Sequence, residues 1–314
     1  MPILDAHHDL GHADNGDPAW SESYYFNGYS PGNGLGFFAR IAMRPNEPFV
    51  DGFITLWLPD GRTLRLTEAR ASALPDAGTP ALSRLAATRV TAMRCWRLSA
   101  SGRSDCGVPL ELALAFNALT PAIGVDAGMK PGAAITGALG SGHFEQAGHW
   151  QGQCVVDGQR FSVEGRGNRD KSWGPRRSDH GAGLHYWRWF SLNFGDALHL
   201  GGIRVGAGET TTQRGWLYRA GDFISLRELI VQTAYASDGL AQSRVVLLAR
   251  DKQGEQHRFE GEVLRTARLY ARGHEHLAIM EGLTRWRHAG LEGYGICEYA
   301  HRLDAAGQAV ITPD

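Results

Sequence analysis

The chain has 314 residues, enough for two domains of about 150 residues or one large all-β unit. Lys plus Arg number 32 against 33 Asp plus Glu, a formal net charge of −1, which leaves no electrostatic footprint for nucleic acid or an anionic membrane. The longest uncharged stretches, 112–125 and 131–144, are too short and too rich in Gly, Pro and Thr to span a bilayer, which takes roughly 20 apolar residues, so no membrane insertion is expected.

Apolar residues make up 43% of the chain, and its 41 glycines are about twice the ordinary share. That combination suits many short strands joined by turns. The opening MPILDAHHDLGH carries Asp5 and no cationic start before an apolar run, so no signal peptide is expected. Cys95, Cys106, Cys154 and Cys297 show no CxxC spacing, which suits buried thiols in a reduced, cytoplasmic setting.

In chain order, Phe49 to Leu58 reads as a strand, Pro59-Asp60-Gly61 as a turn, and Arg62 to Leu66 as the returning strand. Pro80 to Ala87 is the best helical candidate. Leu110, Leu112, Leu114 and Phe116 share one face of a strand with one wet side. Pro121 to Gly142 reads as a long loop. Val155 to Phe161 is a second hairpin around Asp157-Gly158, a pair suited to a type I′ turn. Leu184 to Phe194, Ala197 to Val205, Gly215 to Tyr218, Arg244 to Ala249, Arg258 to Leu264, Leu277 to Arg285 and Gly293 to Arg302 follow as further strands. The expected fold is mainly antiparallel β. Closing such sheets removes their edges, and two barrels over 1–160 and 161–314 use up the chain.

The densest chemistry lies in Gly165 to Arg177, where Asp170 has cations on both sides and Trp173 sits near glycines. Gly167-Asn168-Arg169-Asp170-Lys171-Ser172-Trp173-Gly174 resembles the GYHDHNWG motif of the carotenoid 1,2-hydratase and AttH-type proteins. Glu22 to Phe26 (ESYYF) is similar to that family's EWWYF, and Glu292 to Tyr299 to its closing GxGYxE-like strand. The resemblance implies two consecutive lipocalin-like barrels packed against each other and, in the carotenoid branch, cofactor-free addition of water to a carbon–carbon double bond. It carries the motif's acid onto Asp170 and its tryptophan onto Trp173. Arg169 and Lys171 stand where the family has histidines. Arginine does not exchange a proton near neutral pH, and lysine does so only with a strongly lowered pKa.

Protonating an alkene needs an acid in an apolar pocket, aromatic faces near the developing cation and a group to place water. Asp170, Glu281, Glu298 or Glu22 could be that acid, with Lys171 a further proton carrier. Trp173, Trp187, Trp189 or Tyr25 could face the cation. Arg169, His185 and Tyr294 complete the expected binding set, because His185, Trp187 and Trp189 share one strand face as a pocket wall would. The structural alternative is that the RDKSWG cluster closes one end of a barrel through an Arg–Trp pair, with Asp170 bonded to an arginine, and that Glu281 pairs with Arg285.

His7, His8, Asp9 and His12 cluster near the amino terminus and His274 flanks Glu275 with His276, but neither group shows a full ligand set, so no metal and no cofactor are expected. The function expected is a cofactor-free hydratase, dehydratase or double-bond isomerase acting on a terpenoid, steroid or aromatic molecule. A carrier of a lipophilic metabolite and a pericyclic catalyst are the alternatives. The expected partner is that hydrophobic small molecule, with homodimerisation left open.

Overall fold

A computed structural model of the chain describes residues 2–47, 49–71, 79–126, 140–176, 184–270, 272, 274–312 and 314. It divides into two compact units, Met1–Arg176 and Arg177–Asp314. The division lies after 176 rather than near 160 because one long strand carries the first sheet through that point.

The first unit contains β1 (Trp20–Ser30), β2 (Leu35–Arg44), β3 (Phe49–Trp57), β4 (Thr63–Ala71), β5 (Leu85–Thr91), β6 (Cys95–Arg103), β7 (Pro109–Ala118), β8 (Ile123–Asp126), β9 (Gly142–Val156) and β10 (Gln159–Pro175). They form one sheet in the order β4-β3-β2-β1-β10-β9-β7-β6-β5, with β8 on β9. β4 and β5 end this path, and β4 is tied to the residues just before β5 and to the β6–β7 turn by side-chain bonds and by one backbone bond, from the Asp105 amide to the Arg65 carbonyl. Asp105 accepts from the Thr67 amide and hydroxyl, Glu68 accepts from the Ser83 and Arg84 amides, and Arg84 donates to the Thr67 carbonyl at 2.8 Å. The sheet therefore curls around one apolar core that includes Tyr24, Phe26, Phe37, Trp96, Phe116 and Trp150.

The second unit contains β11 (Leu184–Phe194), β12 (Leu198–Ala207), β13 (Thr210–Arg219), β14 (Asp222–Tyr235), β15 (Gln242–Asp251), β16 (Gln256–Leu269), β17 (Leu277–His288) and β18 (Leu291–Arg302). These close into an eight-stranded antiparallel barrel, with β18 returning to β11. Phe190, Leu192, Leu247, Phe259 and Trp286 lie in its core. Mainly antiparallel β architecture is thus what the alternation predicts.

Local turn chemistry sets the register. Asp157 and Gly158 both have positive φ, 49° and 79°, as a type I′ turn requires. β9 and β10 then pair without a shift from Val156↔Gln159 to Gly142↔Trp173. Pro80 to Ala87 is not helical. Ala81 and Ala86 form a bridge and β5 starts at Leu85, because the apolar residues there alternate into the core. Within the expected loop from Pro121 to Gly142, Ile123–Asp126 is a strand, and 127–139 lie outside the described residues.

Residues 2–12 cross one end of the first sheet, where Leu4 donates to the Ala122 carbonyl and a short 3-10 turn spans Ala6–Asp9. The turn delivers Asp9 to the interior. Both carboxylate oxygens meet Arg169, at 2.8 and 3.1 Å, while the Met93 amide and Trp96 Nε1 also donate to Asp9. Arg169 Nε donates to Gln146, and its guanidinium lies over Trp96, Phe116 and Phe144. Burial raises the Asp9 pKa, but attraction and hydrogen bonds from Arg169 outweigh it and hold the carboxyl below its usual range.

Removing one partner of a buried pair leaves the other charge uncompensated, at a cost of about 3–5 kcal/mol. Asp9→Leu should therefore lower the denaturant midpoint of the first unit, and the double variant Asp9→Leu/Arg169→Met should recover part of that loss. Because the folded pKa is lowered, this stabilisation is present above the ordinary carboxylate pKa and is lost as pH falls through the lowered value. Unfolding curves measured at descending pH read that loss directly.

Candidate functional site

Successive residues of β10 point to opposite faces of the sheet. Arg169, Lys171 and Trp173 face the closed end of the first unit, which places Asp170 on the other face. Lys171 Nζ lies 2.7 Å from the Leu10 carbonyl, 2.8 Å from Glu22 Oε2 and 3.0 Å from His12 Nδ1. Burial lowers its pKa, with Glu22 pulling the other way. The Trp173 ring is stacked on His12 at 3.9 Å, and a Cβ at Gly142 would sit 2.1 Å from that ring. These contacts hold the Lys171 ammonium between the Leu10 carbonyl and the Glu22 carboxylate. The three residues lie at one end of the sheet, but not as an Arg–Trp pair: Arg169 lies over Trp96 rather than Trp173, and the carboxylate on it is Asp9, not Asp170.

The outer face of the same sheet carries a different set. Strand register lines up Glu145 of β9, Asp170 of β10, Tyr25 of β1, Arg40 of β2 and Phe53 of β3 as direct cross-strand neighbours. Such neighbours have Cβ atoms about 4.5–5.5 Å apart, and diagonal ones are within reach of long side chains. His143 is diagonal to Asp170, and Nε2 lies 3.8 Å from Oδ2. Arg40 donates to Asp51 and to the Ser23 hydroxyl, both at 3.0 Å. Phe38, Phe53 and Trp57 share this face, with Phe38 to Trp57 at 4.9 Å. An acid–imidazole pair thus stands beside a phenol, a guanidinium and an aromatic wall.

Most of the patch is covered. The side chains of Asp170 and His143 are 18% and 20% exposed, whereas Tyr25, Arg40, Glu145, Phe38 and Trp57 are buried. Burial disfavours the imidazolium of His143, yet the nearby carboxylate of Asp170, with Glu145 adding, raises its pKa above the ordinary value. His143 can therefore hold a proton at a pH where a free imidazole has released it.

The second unit places its candidates on the outer face of β11, β17 and β18. Glu281 and Glu298 are directly opposite each other, and Trp189 is opposite Glu298. Trp187 Nε1 donates to Glu298 and its ring meets His274 edge-on at 5.9 Å. His185 is half-buried at the register shift between Leu184 and Tyr186 of β11, so it does not continue the face of Trp187 and Trp189 by alternation. Arg285 pairs with Glu262, which answers the expectation that it pairs with Glu281. Tyr294 donates to Glu292 at 3.0 Å and belongs to neither cluster.

Sequence reasoning missed His143, Glu145 and Arg40. One signal for the first two was available. Equal steps outward from the Asp157-Gly158 turn bring Glu145 opposite Asp170, so a two-residue turn with no bulge already fixes the pair. Arg40 had no comparable signal, because β1 and β2 meet through a longer turn.

A family model described as a domain of unknown function (DUF7064) matches residues 5–303. The chain belongs to that family. Among solved structures it is similar to an AttH-type protein of Nitrosomonas europaea, with TM-score 0.70 and 15% identity over 96% of this chain and 100% of that one. It is also similar to kievitone hydratase of Nectria haematococca, with TM-score 0.61 and 13% identity over 96% and 93%. A third is CghA, solved with Sch210972, at TM-score 0.56 and 13% identity over 91% and 89%. A search of curated proteins returned no match. At these identities the likeness is one of fold, and it is the tandem lipocalin-like fold that the sequence motifs imply.

Because His143 has a raised pKa, the stability it contributes is complete below the ordinary imidazole pKa and is lost as pH rises through the folded value. NMR titration of the His143 ring should show an apparent pKa above that of exposed histidines. In Asp170→Asn, the same resonance should titrate at lower pH.

Proposed function

We propose that this DUF7064 protein is a cofactor-free acid–base catalyst that hydrates, dehydrates or isomerises a double bond in a hydrophobic small molecule, on the outer face of β9, β10, β1, β2 and β3. The observation that carries the reading is the His143–Asp170 pair beside the aromatic wall of Phe38, Phe53 and Trp57. The hydratase among the proteins of similar fold agrees with it and is not its basis.

In the hydration direction, the protonated His143, held by Asp170, gives its proton to one carbon of the double bond. Water adds to the other carbon and returns a proton to the pair, so the catalyst is unchanged. Tyr25, next to Asp170, is placed to orient the water or a substrate oxygen by its hydroxyl. The aromatic rings make the surroundings of the pair apolar and lie near the positive charge that develops. Dehydration is the reverse, and isomerisation returns the proton to a different carbon without water.

Asp170→Asn should lower turnover by about 10²-fold or more while the ligand is still retained. Native mass spectrometry after incubation with an extract of the source cells reads both: a bound species changed by one water supports hydration or dehydration. A ligand retained unchanged, with Asp170→Asn neutral, would make the protein a carrier. A pH-independent rate would favour a pericyclic catalyst, in which shape replaces the proton donor.

A second placement of the acid is favoured by one observation, the direct cross-strand apposition of Glu281 and Glu298 beside Trp187 and Trp189. Glu298→Gln separates the two. Loss of turnover there, with Asp170→Asn active, moves the chemistry to the second unit.

A further inference from the structure

The 3-10 turn that delivers Asp9 to Arg169 also brings three other side chains together. One donor atom each from Asp5, His7 and His8 lies within 4.8 Å of the other two. The Asp5 carboxylate is the hub. Its Oδ1 touches His7 Nδ1, accepts from the His7 amide at 3.1 Å and stands 3.3 Å from His8 Nδ1. Asp5 and His7 are exposed, whereas His8 is 1% exposed.

His8 carries the argument. Neither of its ring nitrogens makes a hydrogen bond among the described residues, although a carboxylate stands 3.3 Å from each, Asp5 at Nδ1 and Asp126 of β8 at Nε2. A buried imidazole aligned with neither neighbour leaves its polar atoms unused, which folded proteins avoid. Two atoms that ligate one zinc ion stand in just this relation. With metal–ligand lengths of about 2.0–2.1 Å and tetrahedral angles they are about 3.3 Å apart, and each lone pair points at the ion rather than at the other atom. Asp126 fits the same reading. A metal-bound imidazole gives its other ring N–H to a carboxylate, and with Nδ1 on an ion the N–H of His8 is at Nε2, on the Asp126 side.

The second unit holds a group of similar composition that is complete without an ion. Asp251, Glu255 and His257 also bring their donor atoms together. There, however, His257 Nε2 and Asp251 Oδ2, likewise 3.3 Å apart, are aligned as a hydrogen bond, and Asp251 Oδ1 accepts from the Gln253 and Glu255 amides. At one and the same separation, the pair in the second unit is bonded and the pair in the first is not.

We propose that Asp5 Oδ1, His7 Nδ1 and His8 Nδ1 bind one zinc ion, the metal that a donor set of one carboxylate and two imidazoles suits, with Asp126 holding His8 from behind. Water completes the coordination from the exposed side. Proximity in the chain groups His7 and His8 with Asp9 and His12, but Asp9 is committed to Arg169 and His12 to Glu22, and Asp5 takes their place. The ion's role is structural: it staples residues 5–8 and so keeps Asp9, the next residue, on Arg169. The site is separate from the acid–base patch and stands or falls without it.

The test is calorimetric titration of the untagged full chain, freed of metal by a chelator, with zinc chloride. One ion per chain should bind. His7→Ala, and Asp5→Asn, which keeps an oxygen for the His7 amide, should each bind at least tenfold more weakly. Both side chains are largely exposed, 65% and 71%, so the metal-free fold should survive the changes. Glu255→Gln should bind as the native chain does. No zinc binding, equal affinity in His7→Ala, or a loss confined to Glu255→Gln would overturn the site and leave Asp5, His7 and His8 as ion pairs only. Hydrogen exchange in the native chain needs no variant: the Met93 amide donates to Asp9, and zinc should slow its exchange at least tenfold. Zinc binding with an unchanged rate there would overturn the stapling role.

Discussion

A guanidinium packed among aromatic rings inside each unit is the constraint on which the rest depends. A buried charge is tolerated only with partners; Arg188 of the second unit, over Tyr186 and Tyr299, finds most of them in its own barrel at Trp187, Ala300 and Tyr235, whereas Arg169 of the first depends on a segment distant in sequence. In the first, Asp9 reaches Arg169 from 160 positions away in sequence, so the 2–12 segment is fixed in place. Once Arg169 and Lys171 are committed inward, strand alternation leaves Asp170 no direction but outward. The packing of the closed end and the chemistry of the outer face are two consequences of the same strand.

That outer face combines two kinds of surface seldom found together on a sheet. β9, β10 and β1 contribute carboxylates, an imidazole and a phenol, while β2 and β3 add Phe38, Phe53 and Trp57. Polar groups on a rigid ladder keep their spacing without help from a loop, which is the condition for proton transfer at a fixed distance. Arg40, tied to Asp51 and Ser23, stands at the border and fixes where the polar half ends.

Much of this was legible in the sequence, and the limits have physical causes. Alternation defined β11 with its observed ends and separated Trp187 and Trp189 from Phe190 and Leu192 correctly, because the strand pairs without a shift from Tyr186 to Phe194. β14 escaped notice because a register shift between Leu226 and Glu228 breaks its period. Pro80 to Ala87 imitates a helix since its apolar residues serve a turn and then a strand. Asp170 was singled out for its cationic neighbours, but in β10 those neighbours point the other way, and its real partner, His143, comes from the adjacent strand. Asp9 could not be assigned to Arg169 at all, since nothing local encodes a contact across that separation.

The seam between β4 and β5 gives the first unit a property the second lacks. In the closed barrel every strand is held by backbone ladders on both sides, so no strand can detach without breaking a full row of hydrogen bonds. Beyond β4, the corresponding bonds are those of the Asp105, Glu68 and Arg84 side chains and a single backbone bond from Asp105 to Arg65, and their loss leaves all the ladders intact. Sub-global opening of the first unit therefore starts there and spreads from the two edge strands inward. The same charged groups sit where an unprotected edge would recruit a strand from another molecule, so the unit's weakest line is also the one guarded against aggregation.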